Sequence, residues 1–257
     1  MYSPEEPRKD YYPMKLDERC SNTILFNILN RTAMTHSCHC ENRRLVRLRN
    51  PDSTCHAAAE VLLRTICFMK SLPSFHQLPE LDQCLLMRSQ WVPLFILGLA
   101  QERITVEVTD FPTTSFLHKI LSHDQNKDRE QETEDVPLNL AAVNNLKSCL
   151  DRLWRLDLTA EEYAYLKGSF LFSPDVPGLI NSRLIEELQK EAQCLLHGVV
   201  DERHPRDPRR FRAVLLAASS LHTVGQNFVT DLFFRRVIGQ TDLLELLTEM
   251  LFSTGCF

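Results

Sequence analysis

The chain has 257 residues, 44% of them hydrophobic and 25% charged, with seven glycines and a formal net charge of −5. That length suits one large domain, and that composition excludes a disordered, collagenous or repeat-built chain. The negative balance supplies no general attraction to nucleic acid, which phosphate-binding surfaces draw from clustered Lys and Arg.

Residues 1–52 read as a flexible N-terminal arm, because Pro4, Pro7 and Pro13 punctuate scattered charge around one short apolar island at residues 24–29. Residues 1–20 lack the basic start and apolar run of a secretory leader, so an intracellular location is expected. Arg43, Arg44, Arg47 and Arg49 form a basic run that suits an import signal, an acidic-partner patch or plain solvation. The domain is expected over residues 53–257, opening where Ser53 or Thr54 would cap a helix at 57–72. After Pro73 and Pro79, residues 82–98 predict a long and mostly buried helix carrying Trp91. The longest apolar run, 91–100, falls well short of the roughly 20 residues that cross a bilayer, so no membrane contact is expected. Residues 104–108 alternate and are β-branched, which predicts one short strand. Residues 122–136 are almost all polar or charged and predict a surface loop. Further helices are expected at 138–153, 159–172, 182–200, 209–234 and 242–252, separated or interrupted by Pro174, Pro177, Pro205, Pro208, Gly225 and Gly239.

Nine cysteines make an odd count, and Cys67, Cys84, Cys149 and Cys194 sit singly in apolar helical patterns, which argues for free thiols in a reducing compartment. Cys38, His39 and Cys40, with His36, Cys55 and His56, have zinc-binding chemistry but match no standard spacing, so no metal is assigned. No nucleophile elbow, phosphate-cradling Gly loop or His-Glu-x-x-His run is present, and no enzyme activity is expected.

The most specific pattern is Phe68-Met-Lys-Ser-Leu-Pro-Ser-Phe75, then Leu78, Asp82-Gln83, Leu85-Leu86 and Trp91. Glu162-Tyr163, Leu166-Lys167, Leu171-Phe172, Pro174-Asp175 and Gly178-Leu179 follow, and Leu246-Leu247-Thr-Glu249-Met250-Leu251 closes the series. In identity and order these resemble the signature of nuclear receptor ligand-binding domains over most of residues 55–252. The resemblance implies an all-α fold, a three-layer antiparallel helical sandwich with one small β-hairpin or strand element. It also implies a location in nucleus and cytoplasm.

The resemblance further implies a groove that takes short partner helices. A docked helix leaves free N–H groups at one end and free C=O groups at the other, so a carboxylate and a cation hold its two poles. Lys70 and Glu249 match those clamp positions, Arg88 assists, and Leu246, Leu247 and Met250 belong to the same coregulator groove. Leu25, Ile28 and Leu29, and again Leu117, Ile120 and Leu121, place three aliphatics at i, i+3 and i+4, resembling the Leu-x-x-Leu-Leu box that such grooves receive. The first triplet sits in a polar arm and favours docking onto another receptor; the second favours core packing. Leu243, Leu246 and Leu247 fit the same pattern, with packing of the terminal helix as the default role. Phe68, Trp91, Phe95 and Phe170 are candidates to line or fill a lipophilic pocket. Residues 209–234 fall where family members dimerise, and the lack of a long amphipathic stretch before Thr54 suggests a missing first helix and a second groove in its place.

Conventional members carry an upstream module of two zinc sites built on Cys-x-x-Cys pairs. Here the first four cysteines, Cys20, Cys38, Cys40 and Cys55, are not so spaced, so direct DNA binding of that kind is not expected. The resulting expectation is a transcriptional corepressor that pairs with other nuclear receptors as a heterodimer, competes with coactivators and recruits corepressor proteins through short helical motifs. A sensor gated by a lipophilic ligand, and a redox- or zinc-regulated adaptor, are the alternatives. No cofactor is expected beyond such a ligand.

Overall fold

The computed structural model describes residues 44–110 and 138–253, all within one unit spanning Glu41–Phe257. Strand β1 (Leu45–Leu48) pairs antiparallel with β2 (Val108–Asp110) and with β3 (Leu138–Asn139), giving the order β2-β1-β3. Val46 faces Asp110 on one side and Leu138 on the other. Val46 and Leu48 are buried while Leu45 and Arg47 are exposed, the period-two alternation of a half-buried strand.

This strand lies in residues that the sequence reading gave to the arm. The hydropathy of Leu-Val-Arg-Leu does not follow its burial, since Leu45 is apolar and exposed, and the strand's partners come from distant parts of the chain. Two arginines of the basic run are paired inside the sheet region: Arg49 with Glu107 at 3.2 Å and Arg44 with Asp110 at 4.0 Å. The strand expected at 104–108 is shifted, since only Val108 of that stretch lies in β2.

Helix α1 (Pro51–Ser71) starts earlier than Ser53 because Pro51 takes a first-turn position, where its fixed φ suits a helix and its missing N–H costs nothing. It ends at Leu72, whose extended backbone is what a following proline imposes. The short α2 (Pro73–His76) then leads to α3 (Glu80–Gln101). Every residue from Gln90 to Ala100 in α3 is buried. A helix apolar on all sides must be internal, and α3 is packed by α1, α4, α5 and α10, the middle of a three-layer stack. At Gly98 the α1 and α3 backbones approach so closely that an added Cβ would lie 2.5 Å from Val61 Cγ1.

Helix α4 (Leu140–Leu156) is capped by Asn139, whose Oδ1 accepts from Ala141 N at 2.8 Å. Helix α5 (Ala160–Leu171) opens with a reciprocal capping box: Glu162 N donates to Thr159 Oγ1 and Thr159 N donates to Glu162 Oε2 at 2.7 Å. Helix α6 (Ser182–Arg203) packs on α5 and on the helix that follows it, and buries Ile185, Ala192, Leu196 and Val200.

The helix expected over 209–234 is broken into α7 (Arg210–Ser219), a 3₁₀ turn (Ser220–Thr223), α8 (Gln226–Val229) and a π turn (Thr230–Phe234), before α9 (Arg235–Ile238). Ser219, Ser220 and Thr223 each donate a side-chain hydroxyl to the carbonyl three residues back, at 2.9, 2.6 and 2.7 Å. Such bonds compete with the α-helical ladder and tighten the turn ahead of Gly225. Gly239 (φ 59) reverses the chain into the terminal helix α10 (Leu243–Phe252), which Asp242 caps by accepting from Leu244 N at 2.9 Å.

Candidate functional site

The site is built where α1 turns into α3 and α10 lies across both. Met69 and Phe75 are fully buried and fix the turn from below. His76 Nε2 bonds the Lys70 carbonyl at 2.5 Å, and the Gln83 amide donates to the Leu78 carbonyl at 2.8 Å, so the turn is sewn by side chains at both ends. The buried Asp82 carboxylate accepts from Ile180 N and Asn181 N at 2.7 and 2.9 Å, tying the start of α3 to the loop before α6.

On α10 the buried residues are Leu243, Leu247 and Leu251, one stripe at i, i+4 and i+8 that faces the body. Leu246 and Met250 flank it half-buried, and Glu249 is exposed. Lys70 Nζ donates to the Met250 carbonyl at 3.2 Å and to the Ser253 carbonyl at 2.7 Å. These carbonyls belong to the last turn of α10, where backbone acceptors lack helical partners and the macrodipole is negative. The cation expected to hold a partner helix by its C-terminus therefore holds the chain's own. Glu249 sits in that same turn, and its carbonyl accepts from Ser253 N at 2.9 Å. Arg88 lies half-buried on α3, its carbonyl accepting from Gln226 Nε2 at 3.0 Å.

Of the pocket candidates, Trp91 and Phe95 come together and the other two do not join them. Phe95 packs against Phe233 and Phe234 with ring centroids 5.4 Å apart in each case, and Trp91 lies 6.3 Å from Phe95 and 6.4 Å from Phe234. These edge-to-face and tilted contacts fill the space under α3 with rings. The Trp91 Nε1–H is buried within them without a hydrogen-bond partner. Phe68 instead lies under the Lys167 ammonium, 5.8 Å from its ring centre, and burial pushes that ammonium below its ordinary pKa. Phe170 stacks on His222 at 5.2 Å.

Leu25, Ile28 and Leu29, and Leu117, Ile120 and Leu121, lie outside the described residues, as do His36, Cys38, His39 and Cys40. Among the described residues no group of three His, Cys, Asp or Glu side chains is placed to hold a metal ion. Sequence reasoning missed Phe233 and Phe234, which the π turn rotates into the interior together, and Ser253, a helix-end carbonyl that no side-chain pattern marks.

The buried central helix and the lysine at the end of α1 lie within a stretch that a family model matches. Residues 41–238 match the family model described as the ligand-binding domain of nuclear hormone receptor. The chain belongs to the nuclear hormone receptor family.

This receptor is 44% identical over 239 residues to nuclear receptor subfamily 0 group B member 2 of Rattus norvegicus, covering 89% of this chain and 92% of that one. The Homo sapiens protein of the same name is 44% identical over 216 residues, 83% of this chain and 84% of that one. Nuclear receptor subfamily 0 group B member 1 of Sus scrofa is 36% identical over 227 residues, 80% of this chain but 47% of that longer protein. These relatives are consistent with a receptor like the small heterodimer partner, an orphan receptor. The family is one of regulatory receptors and not of enzymes. No helix among the described residues is long and apolar enough to cross a membrane.

Proposed function

We propose that this receptor is a transcriptional corepressor that works through helical contacts with other nuclear receptors, and that its own terminal helix occupies its coregulator groove at rest. The observation that carries this reading is the pair of bonds from Lys70 to the end of α10. A groove filled by the chain itself admits a coregulator only when that partner displaces α10, so affinity is reduced by the cost of the displacement. Corepressor proteins with short helical motifs are the occupants proposed for the opened groove.

The segment with Leu25, Ile28 and Leu29 is proposed as the reciprocal element, a helical box that docks in another receptor's groove and competes there with coactivators. Recruitment to a gene is assigned to the heterodimer partner, since the zinc-site Cys-x-x-Cys pairs of a DNA-binding module do not occur in these 257 residues. The place of action is the nucleus, with passage through the cytoplasm. The ring cluster of Trp91, Phe95, Phe233 and Phe234 supports a regulator that needs no interior ligand or cofactor. The alternative, a sensor of a lipophilic molecule, draws support from the unpartnered Trp91 Nε1–H, and native mass spectrometry separates the two by the presence of a co-purifying ligand.

Co-precipitation of the full chain with other receptor domains tests the main reading. Replacing Leu25, Ile28 and Leu29 by Ala is expected to abolish capture while the thermal unfolding of the domain stays the same; undiminished capture would refute the docking role.

A further inference from the structure

A second surface lies at the turn between α6 and α7, formed by none of the residues assigned to the groove. Residues 203–212 hold five arginines, no lysine and one aspartate, a concentrated positive charge in a chain whose net charge is −5. Two of these arginines are spent internally. Arg203 meets Glu161 at 3.4 Å, and Arg210, nearly buried, meets the fully buried Glu162 at 3.3 Å and donates to the Leu156 carbonyl at 2.8 Å. Arg206, Arg209 and Arg212 are exposed, and among the described residues no carboxylate stands within ion-pair distance of them.

Stability does not explain those three. They stand beside the N-terminus of α7, the positive end of its macrodipole, where cations are unfavourable and where the first turn holds no acidic residue. The turn is also rigid. Pro205 and Pro208 fix two φ angles, Asp207 N donates to the His204 carbonyl at 2.9 Å, Arg210 N to the Asp207 carbonyl at 3.1 Å, and Arg209 N to Asp207 Oδ1 at 3.1 Å. An open cleft of about 420 Å³ lies against it, lined by Arg203, His204, Pro205, Arg206 and Asp207. Guanidinium is the planar fork suited to carboxylates, and the same turn already sets two arginines on carboxylates, Arg203 on Glu161 and Arg210 on Glu162.

We infer that the α6–α7 turn is a docking surface for an acidic segment of a partner protein, held by Arg206, Arg209 and Arg212. Carboxylates are favoured over nucleic acid as the occupant because the patch is short, while the chain around it is acidic and repels an extended polyanion. The surface stands independently of the groove.

The test is fluorescence anisotropy on the full chain with a short labelled Glu-rich peptide, beside the same peptide with Gln for Glu. The Glu peptide is expected to bind about tenfold more tightly or better, and to weaken as salt rises from about 50 to about 300 mM. The combined variant Arg206→Gln, Arg209→Gln, Arg212→Gln is expected to lose about tenfold or more of that affinity with an unchanged melting curve, since all three side chains are exposed. The corresponding Lys variant is expected to retain an intermediate affinity, keeping the charge and losing the fork. Equal binding of the two peptides, undiminished binding by the Gln variant, or displacement of the Glu peptide by duplex DNA at lower concentration would each overturn the assignment.

Discussion

Replacing Lys70 by Ala removes the two hydrogen bonds that close the end of α10, at 3.2 and 2.7 Å, and the one cation these bonds bring to that helix end. A hydrogen bond from a charged donor contributes about 1.5–3 kcal/mol, and a cation at a helix C-terminus about 0.3–1 kcal/mol. Lys70 is half-buried, and water satisfies part of the freed carbonyls, so a net loss of about 1–2 kcal/mol is expected for the docking of α10. That corresponds to a rise of about five- to thirtyfold in the population with α10 released. Hydrogen exchange reads it directly. Amides of residues 246–252 should lose protection by that factor, while the buried amides of 92–99 in α3 keep theirs, because the change opens one helix and not the fold. Unchanged protection in α10, or an equal loss in both helices, would refute the assignment of Lys70 as the latch.

Three further perturbations test the packing of the domain body. Gly98→Ala pushes a Cβ to 2.5 Å from Cγ1 of the buried Val61, whose helical rotamer has little freedom, and is expected to cost about 1–3 kcal/mol, lowering Tm by several degrees in a melting scan. Arg210→Met strands the buried Glu162 carboxylate at a cost of about 3–5 kcal/mol in urea unfolding, and adding Glu162→Gln should recover a large part of it. Burial pushes the Tyr163 hydroxyl up to about 12 from its usual 10.0. The unfolded chain therefore ionises first, so the contribution is intact below pH 10 and is lost as pH rises toward 12. The stability difference between the native chain and Tyr163→Phe should slope downward across that window and stay flat below it.

What was legible in the sequence was whatever local chemistry or a long apolar run determines. α3 could be found because its buried residues are continuous, and α5 because Thr159 and Glu162 are spaced as a capping box. The signature around Lys70 marks the turn between α1 and α3. Pairing over distance stayed hidden: β1 is defined by partners at residues 108–110 and 138–139, and no local pattern in Leu45–Leu48 announces them. The break in the 209–234 helix was foreshadowed only by Gly225, while the deciding hydroxyl bonds of Ser219, Ser220 and Thr223 need the backbone to be seen. Lys70 and the terminal leucines were identified as groove residues, but their joining depends on where α10 swings after Gly239, a choice that tertiary packing makes.

The account turns on α10 occupying the groove that a partner helix needs. The most direct test is the affinity of a Leu-x-x-Leu-Leu peptide for the full chain and for the variant Leu243→Ala, Leu251→Ala, which loosens α10 and keeps Leu246, Leu247, Glu249 and Met250, with Lys70→Ala added to that variant. The loosened variant is expected to bind the peptide about tenfold more tightly or better, and the added Lys70→Ala to cancel that gain, because the same ammonium then caps the peptide. Equal or weaker binding by the loosened variant, with its fold intact by circular dichroism, would contradict the claim.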